Sequence, residues 1–421
     1  MDDAGDTLRQ AARERAWSMP IEEIQPADHA IFRDDTLWPY FERLRAEDPV
    51  HHAVHEEAGP YWSVTRYADI MAVDTNHEVF SSERSITLFD QDEDFQLPMF
   101  IAMDPPKHDA QRKTVSPIVS PHNLMNLEPI IRERAAKILD DLDIDAEFNW
   151  VDKVSIELTT MTLATLFDFP WEDRRKLTRW SDVATAAPES GIVESDEQRK
   201  AELFECVEYF MRLWEERVSA PPRNDLISML AHGEATKNMD RMEYLGNLIL
   251  LIVGGNDTTR NTISGSILAL NRYPDQYRKL RDNPGLIPSM VSETIRWQTP
   301  LAYMRRTATR DFHLQGKRIR AGDKVLMWYV SGNRDEREIE RPNDYDIERE
   351  RPRHHMSFGF GIHRCVGNRL AELQLRVIWE EILKRFPVVE VTGEPRRVFS
   401  SFVRGYETLP VRIPERVKVA A

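Results

Sequence analysis

The residues with the clearest chemical potential lie in a short glycine-rich segment, Phe358 to Gly367, which holds one of only two cysteines in the 421-residue chain. Cys365 stands on a turn-rich loop directly before a helical pattern from Arg369 to Phe386. A cysteine at a helix start meets unpaired N–H groups and the positive end of the helix dipole, which lower its pKa. The pattern therefore favours a thiolate, the form that binds metals or attacks as a nucleophile.

Three states are open to this thiol on the residues alone. It can be a buried, inert cysteine, which is the usual state of a free thiol. It can be a nucleophile with His363, two residues away, as its base. It can also bind a metal, but zinc is disfavoured because no second cysteine and no spaced histidine pair lie nearby. Gly367 removes a side chain where a flat cofactor could press against the helix start.

A second candidate segment lies inside the long apolar pattern from Arg241 to Asn271, a predicted helix. Gly254 and Gly255 stand in its middle, and Asp257 and Thr258 follow them. Two glycines inside a helix cost about 1 kcal/mol each, so their presence needs a reason. Packing against another helix, close approach of a ligand and a local opening of the helix all remain open.

Two further patterns place charged side chains on single helix faces. Glu293 and Arg296 are three residues apart, and such a pair on a surface contributes little stability. His108 and Arg112 are four residues apart on a helix that a Pro-Pro pair starts, so together they can bond one anionic group. A solvated surface position is the alternative for each of these side chains.

The elements that must position these residues are mostly helical. Apolar residues at i, i+3, i+4 spacing predict helices at 37–46, 127–142, 151–167, 196–218, 241–271 and 286–297. Strands are predicted at 61–64, at 312–319 with 324–330 as one small sheet, and at 388–391 with 409–413 as a last ribbon. His51, His52 and His55 lie in a polar strand and are predicted at the surface. The strands cluster near the chain ends, so the pattern predicts a mainly α fold with small β-sheets.

Composition excludes several classes of protein. The chain is 41% hydrophobic, 30% charged and 9% aromatic, which excludes disordered, collagen-like and coiled-coil proteins. A net charge of −15 argues against nucleic acid or an anionic membrane as the main partner. The longest aliphatic run, 248–253, is far shorter than the ~20 residues of a membrane span, and the N-terminus has no signal-peptide pattern. We therefore expect a cytoplasmic protein without a membrane anchor. Its most acidic patches, 90–94 and 140–147, are predicted loops.

The spacing Phe358-x-x-Gly361-x-x-x-Cys365-x-Gly367 resembles the haem-binding loop of the cytochrome P-450 family. The resemblance implies that Cys365 is the axial thiolate of a haem b iron, whose electron donation favours O–O cleavage. It also implies the P-450 fold, a triangular prism-like, mainly α core that encloses the haem, with a minor β-rich lobe. On this view the chain is one catalytic domain over residues 1–421.

The same resemblance gives roles to the other segments. The helix with Gly254 is expected to cross the haem face, and Thr258 with Asp257 is expected to serve dioxygen and protons as the catalytic pair. Four side chains are expected to bind the haem propionates: His108, Arg112, Arg306 and His363. Three more are expected to lock the chain behind the cysteine loop: Glu293, Arg296 and Arg349.

At finer grain, segments 95–103, 165–170 and 251–260 look like the bacterial branch that hydroxylates the ends of alkane and fatty-acyl chains. The expected pocket residues are Leu250, Leu251, Gly254, Leu301, Met99, Phe100, Ile101 and Met103. A pocket of such side chains suits a hydrocarbon. We therefore expect terminal hydroxylation of medium-chain alkanes or fatty acyl chains; the alternative is another hydrophobic substrate, a terpene or a steroid side chain.

Two rival functions remain beside a monooxygenase. Haem-thiolate peroxygenases or isomerases typically lose the acid–alcohol pair that stands here at Asp257 and Thr258. A haem carrier or gas sensor is disfavoured because no sensor-type partner domain is visible. The co-substrate is expected to be O₂, with electrons from NAD(P)H through a ferredoxin reductase and a ferredoxin, since the chain has no nucleotide fingerprint.

The ferredoxin is expected to dock on a basic face near Cys365. Residues 351–376 contain five arginines (351, 353, 364, 369 and 376) and one acid, Glu372. An acidic iron–sulfur protein fits such a patch. We expect the chain itself to be a monomer.

Overall fold

The computed structural model describes residues 3–417, and its helices follow the apolar periodicity of the sequence. They are α1 (Asp3–Ser18), α2 (His29–Arg33), α3 (Trp38–Glu47), α4 (Tyr67–Asp74), α5 (Lys107–Val115), α6 (Pro121–Asp140), α7 (Glu157–Phe167), α8 (Arg175–Thr185), α9 (Asp196–Val218), α10 (Leu226–His232), α11 (Arg241–Arg272), α12 (Pro274–Asp282), α13 (Ile287–Gln298), α14 (Tyr329–Gly332) and α15 (Asn368–Arg385). A π-helix, Val151–Ile156, runs directly into α7. Residues 1–2 and 418–421, the ends of the predicted unit 1–421, lie outside the described residues.

Helix α11 is the centre of the helical part and packs against α7, α8, α9, α13 and α15. Asp240 fixes where it begins, because its side chain accepts hydrogen bonds from the N–H groups of Met242 and Glu243, both at 2.9 Å. These donors have no partner within the helix, so the cap stabilises its first turn. Every residue from 261 to 270 is buried, which places the second half of α11 inside the main core.

The strands form one five-stranded sheet and three smaller pairings. They are β1 (Val50–His55), β2 (Gly59–Val64), β3 (Phe80–Ser81), β4 (Glu147–Asn149), β5 (Met304–Ala308), β6 (Phe312–Leu314), β7 (Lys317–Ile319), β8 (Lys324–Met327), β9 (Glu390–Val391), β10 (Arg396–Arg397), β11 (Tyr406–Thr408) and β12 (Pro410–Arg412). The large sheet has the order β1-β2-β8-β5-β3, with β2 and β8 parallel and the other pairs antiparallel. The remaining pairings are β4-β12-β9, β6-β7 and β10-β11.

The predicted fold class is confirmed, but one predicted sheet is wrong. Segments 312–319 and 324–330 do not pair with each other. The first forms the β6-β7 hairpin on its own, with Gly316 in its turn at φ +76°. The second supplies β8, which lies between β2 and β5. Val325, Leu326 and Met327 of β8 are all fully buried, so this strand needs a partner on each edge.

The surface prediction for the three N-terminal histidines is wrong for one of them. His51 is buried, with Nδ1 2.9 Å from Asp48 Oδ2 and Nε2 3.0 Å from the carbonyl oxygen of Ile24. His52 is exposed and His55 is half-buried, as the alternation of a strand with one covered face requires.

Among residues 3–417, no helix combines the length and the apolar character needed to cross a bilayer.

Candidate functional site

The cysteine loop is shaped by two glycines with left-handed backbone geometry. Gly359 has φ +64° and Gly361 has φ +66°, a region that residues with a Cβ rarely adopt. A Cβ on Gly361 would also lie 2.7 Å from the carbonyl oxygen of Asp74. The backbone N–H of Cys365 donates to the carbonyl oxygen of Phe358 at 2.8 Å. The positions of the glycines between Phe358 and Cys365 therefore allow the backbone hydrogen bond that closes this loop.

Cys365 keeps exposed surface, although protein surrounds its thiol closely. Burial has the largest effect on the thiol and raises its pKa. The backbone N–H groups of Gly367 and Asn368 donate to the sulfur and lower the pKa, as predicted for a helix start. The charges of Arg112 and Arg364 act in the same direction. The predicted net lowering of this pKa is wrong, because desolvation outweighs these four groups.

One stripe of α11 borders open space in the middle of the helix, where Leu251, Val253 and Gly255 are also only partly covered. Leu250, Gly254 and Thr258 keep accessible surface, whereas the turns on either side are buried. These residues are four apart, so they stand above one another on a single helix face. Such a stripe in the middle of a core helix marks one wall of an internal recess.

The two mid-helix glycines have different reasons to be glycine. A Cβ on Gly254 would meet nothing within 4 Å, so this position borders open space. A Cβ on Gly255 would lie 2.7 Å from Cδ2 of Leu163, a buried side chain of α7. Close packing thus explains Gly255, whereas Gly254 has the open space that a ligand would need and its contact with a ligand stays a prediction. The hydroxyl of Thr258 donates to the carbonyl oxygen of Gly254 at 2.8 Å.

Asp257 lies on the covered side of the same helix turn and is fully buried. Arg260 holds it with Nη2 2.8 Å from Oδ1, and Thr185 donates to Oδ2 at 3.4 Å. Arg260 also contacts Asp182 of α8 at 2.5 Å. Burial raises the pKa of Asp257 to about 6; Arg260 opposes this rise and Asp182 adds to it. A carboxyl group of this kind exchanges protons near neutral pH.

Two histidines face each other next to the cysteine loop with nitrogen atoms that have no partner. The ring centroids of His108 and His363 are 4.2 Å apart. His108 Nδ1 lies 2.7 Å from Asp109 Oδ1, but its Nε2 and both nitrogens of His363 are buried without a hydrogen bond. Arg112 donates to the carbonyl oxygen of Arg364 in the same region. Unpaired buried nitrogens are rare and indicate a place for a polar ligand group.

Arg306 contacts protein groups rather than the recess. It donates to Asp74 Oδ1 at 2.8 Å and to the carbonyl oxygen of Arg305 at 3.0 Å. Asp74, at the end of α4, also accepts from the hydroxyl of Tyr329 and from the N–H of Phe360, both at 2.8 Å. This buried carboxylate therefore ties Arg306 to the cysteine loop. Sequence reasoning missed it, because a single acid at a helix end has no distinctive spacing. A propionate contact of Arg306 stays a prediction.

The three residues predicted to lock the chain behind the cysteine loop form a buried ion-pair cluster. Arg296 and Glu293 on α13 form two hydrogen bonds, at 2.8 and 2.7 Å, and neither side chain is exposed. Arg349 reaches the same carboxylate from a distant loop, with Nε 3.0 Å from Oε2. Glu293 thus accepts from two planar forks at once, and both keep its pKa low against the effect of burial.

The predicted pocket residues divide into two groups. Phe100 and Met103 are buried in the main core, and the backbone N–H of Phe100 bonds Asn247 Oδ1 at 3.0 Å. The other side chains keep part of their surface: Met99, Ile101, Leu250, Leu251 and Leu301. Phe100 thus contacts α11 through Asn247, while the substrate-contacting role of each of these residues stays a prediction.

The donor set fits a haem. Within residues 3–417, no three His, Cys, Asp or Glu side chains are placed to hold a metal ion by themselves. Cys365 would then be the one protein ligand of a haem iron, whose remaining ligands come mainly from the macrocycle. Open space at Gly254 and at Gly367 suits a flat ring, and the unpartnered nitrogens of His108 and His363 suit its carboxylates.

The chain resembles cytochromes P450 in its sequence and in its fold. The family profile of cytochrome P450 matches residues 285–408. The chain is 35% identical over 383 residues to linalool 8-monooxygenase from Pseudomonas putida, covering 88% of this chain and 94% of that protein. It is 32% identical to methyl-branched lipid omega-hydroxylase from Mycobacterium tuberculosis, covering 93% and 95%. The solved structure of CYP153D17 from Sphingomonas sp. superimposes with a TM-score of 0.86 at 49% identity, covering 93% of this chain and 98% of that one.

Proposed function

This chain belongs to the cytochrome P450 family, and from that premise we propose that it hydroxylates the terminal carbon of a medium-length alkane or fatty acyl chain. The coarser activity, a haem-dependent monooxygenase, follows from the family. The observation that carries the finer proposal is the stripe of Leu250, Gly254 and Thr258, where an apolar wall ends at the hydroxyl next to Asp257. An apolar wall that ends at a hydroxyl suits a hydrocarbon chain.

Haem bound at Cys365 supplies the iron chemistry by which O₂, two electrons and two protons convert a C–H bond into an alcohol and water. The residues of the chain do the remaining work. The N–H groups of Gly367 and Asn368 hold the sulfur in place, and Gly254 leaves room for a flat ring. His108 and His363 offer nitrogens to the carboxylate arms.

Thr258 and Asp257 of α11 donate and accept protons. The hydroxyl of Thr258 points along α11 to Gly254 and can turn toward the recess without leaving its helix turn. Asp257 is buried behind it with a pKa of about 6, so it both gains and loses a proton near neutral pH. Arg260 fixes the carboxylate in this position.

Support for terminal attack comes from a relative whose name states it. Methyl-branched lipid omega-hydroxylase is 32% identical to this chain over 409 residues. Selection of a terminal carbon over inner carbons must come from the shape of the pocket. One methylene of misfit changes the binding free energy by only about 1–3 kcal/mol, so this shape must fit the chain closely. A terpene is the second candidate, because linalool 8-monooxygenase shares a slightly larger identity, 35%.

The proposed electron donor is an acidic iron–sulfur ferredoxin that docks on the face near Cys365. Arg369 is exposed in the first turn of α15, and Arg353 is 78% exposed. A groove of about 330 Å³ lies beside them, lined in part by Met125, Glu372 and Arg376. Arg376 contributes less charge than its sequence position indicated, because it is ion-paired on both sides: Glu128 at 2.7 Å and Glu380 at 3.0 Å.

The test of this function begins with the ligand of the iron. The reduced carbon-monoxide complex should show the red-shifted Soret band of thiolate ligation; Cys365→Ser should remove the band and Cys206→Ser should keep it. Cys206 is the matched control, since it is fully buried in α9. The reverse pattern would refute the assignment.

Substrate choice is tested by titrating the holoenzyme with octane, octanoate and linalool and by identifying the products. We expect a substrate-induced spin-state shift with the straight chains, and 1-octanol or 8-hydroxyoctanoate as product. Tight linalool binding without a shift by either straight chain would replace terminal chain hydroxylation by the terpene alternative.

A further inference from the structure

Helix α4 ends on an acid, at a position where an acid is unfavourable. Asp74 is the last residue of α4, so its carboxylate lies at the negative end of the helix dipole. The side chain is also buried, with only 1% of its surface exposed. Burial and the dipole therefore both act against a charged group here, and the contacts of Asp74 must offset them.

In the described part of the chain, three donors from separate segments share this carboxylate. Arg306 of β5 donates to Oδ1 of Asp74 at 2.8 Å. The hydroxyl of Tyr329, at the start of α14, and the backbone N–H of Phe360, in the cysteine loop, both donate to Oδ2 at 2.8 Å. Burial raises the pKa of Tyr329 well above its usual value, and the charge of Asp74 adds to this rise. The hydroxyl therefore keeps its proton and acts as a donor.

The cysteine loop rests directly on the end of α4. A Cβ on Gly361 would lie 2.7 Å from the carbonyl oxygen of Asp74, and a Cβ on Gly359 would lie 3.2 Å from its Oδ2. The two glycines that give the loop its left-handed backbone thus also leave room for one residue, Asp74. Between them, the ring of Phe360 packs edge-on against Tyr67 of the same helix, with the centroids 6.1 Å apart. Helix α4 therefore holds this part of the loop through both its backbone and its side chain.

Only a short stretch of chain separates the bond to Asp74 from the sulfur. The N–H of Cys365 donates to the carbonyl oxygen of Phe358 at 2.8 Å, which closes the loop around Phe360. Within the loop, the N–H of Arg364 donates to the carbonyl oxygen of Gly361 at 3.3 Å. Because these bonds link the loop to itself, a displacement of Phe360 must also displace the backbone that carries the sulfur.

We infer that Asp74 is a positioning residue for Cys365: by holding the N–H of Phe360, it keeps the sulfur where it can bind iron. Its charge also balances that of Arg306 in the buried pair. This inference rests on the haem ligand of the proposed function and not on the choice of substrate. Asparagine cannot replace this aspartate fully, because its amide has one oxygen and would turn its own N–H groups toward a donor, either Arg306 or Phe360.

The test uses Asp74→Asn in the holoenzyme and measures the ligand of the iron together with haem retention. We expect part of the reduced carbon-monoxide complex to move from the thiolate band to the blue-shifted band of a neutral thiol ligand. Haem transfer to apomyoglobin should be about tenfold faster, the size of one charge-assisted hydrogen bond. Hydrogen exchange at the amide of Phe360 should also be faster.

The matched control is Asp35→Asn, which changes another buried carboxylate with arginine partners. Oxygens of Asp35 lie 2.9 Å from Arg397 and 3.3 Å from Arg404, and among the described residues none of its side-chain hydrogen bonds involves the cysteine loop. Both variants should lower the unfolding temperature, but Asp35→Asn should leave the thiolate band and the rate of haem transfer unchanged. Equal effects of the two variants on the band and on haem transfer would overturn the role of Asp74 and leave the proposed function standing. A wild type without the thiolate band would instead refute the haem ligand of the proposed function.

A milder variant carries the test if Asp74→Asn takes up no haem. Tyr329→Phe removes one donor from the same carboxylate and keeps its ion pair with Arg306, so haem transfer should be about threefold faster, the size of one ordinary hydrogen bond. Its control is Tyr277→Phe, because the hydroxyl of this buried tyrosine accepts from the N–H of Val389 at 3.1 Å. This control should not change haem transfer. Equal rates in the two tyrosine variants would overturn the inference.

Discussion

The imidazole rings of His108 and His363 lie 4.2 Å apart, and three of their four nitrogens are buried without a hydrogen-bond partner. One ring comes from α5 and the other from the turn that leads into Cys365, so the fold brings them together from distant parts of the chain. In the protein alone this arrangement is unfavourable, because each unpaired buried polar atom costs about 1–3 kcal/mol. The pair is therefore built for a ligand rather than for the stability of the polypeptide.

Because the unpaired nitrogens of His363 destabilise the apoprotein but can bind a ligand, replacing this residue should have opposite effects on haem retention and on apoprotein stability. His363→Phe should release haem about tenfold faster, because a hydrogen bond to a charged group contributes about 1.5–3 kcal/mol. The apoprotein should unfold at the same temperature or higher, because two unpaired nitrogens are removed. Haem transfer to apomyoglobin and thermal unfolding measure the two effects. His52→Phe, on the exposed face of β1, is the control and should change neither.

The two adjacent glycines of α11 give a second pair of opposite effects. Gly254→Ala should stabilise the apoprotein by about 0.5–1 kcal/mol, because the new methyl meets no atom and alanine favours a helix. Gly255→Ala should destabilise it by about 1–3 kcal/mol, because Leu163 must move within a packed core. Urea unfolding measures both. If Gly254→Ala destabilises the apoprotein as Gly255→Ala does, Gly254 does not border open space in solution.

These glycines also show what sequence could and could not predict. Their position in mid-helix, the cysteine loop and the helices around them depend on local spacing, and the structure confirms those elements. Which glycine borders the recess depends on where Leu163 of α7 lies, and a single sequence holds no record of that contact. The burial of His51, the place of β8 and the role of Asp74 depend in the same way on partners far along the chain. The net pKa of Cys365 was missed because desolvation is a property of the whole fold.

Asp257 should make the stability of the protein depend on pH. Its pKa is raised to about 6 in the folded state, first by burial, from a model-peptide value near 4. A carboxyl with a raised folded pKa contributes stability that is fully present below about pH 4 and lost as pH rises through about 6. The wild type should thus lose about 2–3 kcal/mol relative to Asp257→Asn between pH 4 and pH 7. Urea unfolding at several pH values checks this slope.

The groups that face this carboxyl sharpen the test. They are Arg260, Asp182, Ser181 and Thr185. The negative charge of Asp182 raises the pKa of Asp257, so Asp182→Asn should lower that pKa and move the pH window downward. A stability difference between wild type and Asp257→Asn that does not vary with pH would mean that Asp257 stays ionised in the folded protein.

Thr258→Ala should separate substrate binding from proton delivery. Among the described residues the hydroxyl bonds only the carbonyl oxygen of Gly254, at 2.8 Å, so its removal should leave the helix intact. Substrate dissociation constants should stay within twofold, while product per electron falls and hydrogen peroxide rises. A positioned proton donor contributes about 10²–10⁴ in rate. Thr262→Ala, one turn further along in the buried half of α11, is the control for helix packing. Coupling equal to the parent would make Thr258 a packing residue.

Charge reversal at Arg369 should slow reduction by a ferredoxin without affecting the substrate site. Arg369 is exposed in the first turn of α15, one turn after Cys365, so a donor docked on the proposed face would contact it. Arg369→Glu should lower the rate of haem reduction by an acidic [2Fe–2S] ferredoxin about tenfold at low salt. For the wild type, this rate should fall steeply as the Debye length shortens from about 10 Å at 0.1 M salt to about 3 Å at 1 M. Dithionite reduction and octane binding should not change. Arg278→Glu, a 62% exposed arginine of α12, is the matched control. A ferredoxin rate that is flat in salt and equal in both variants would place the docking face elsewhere.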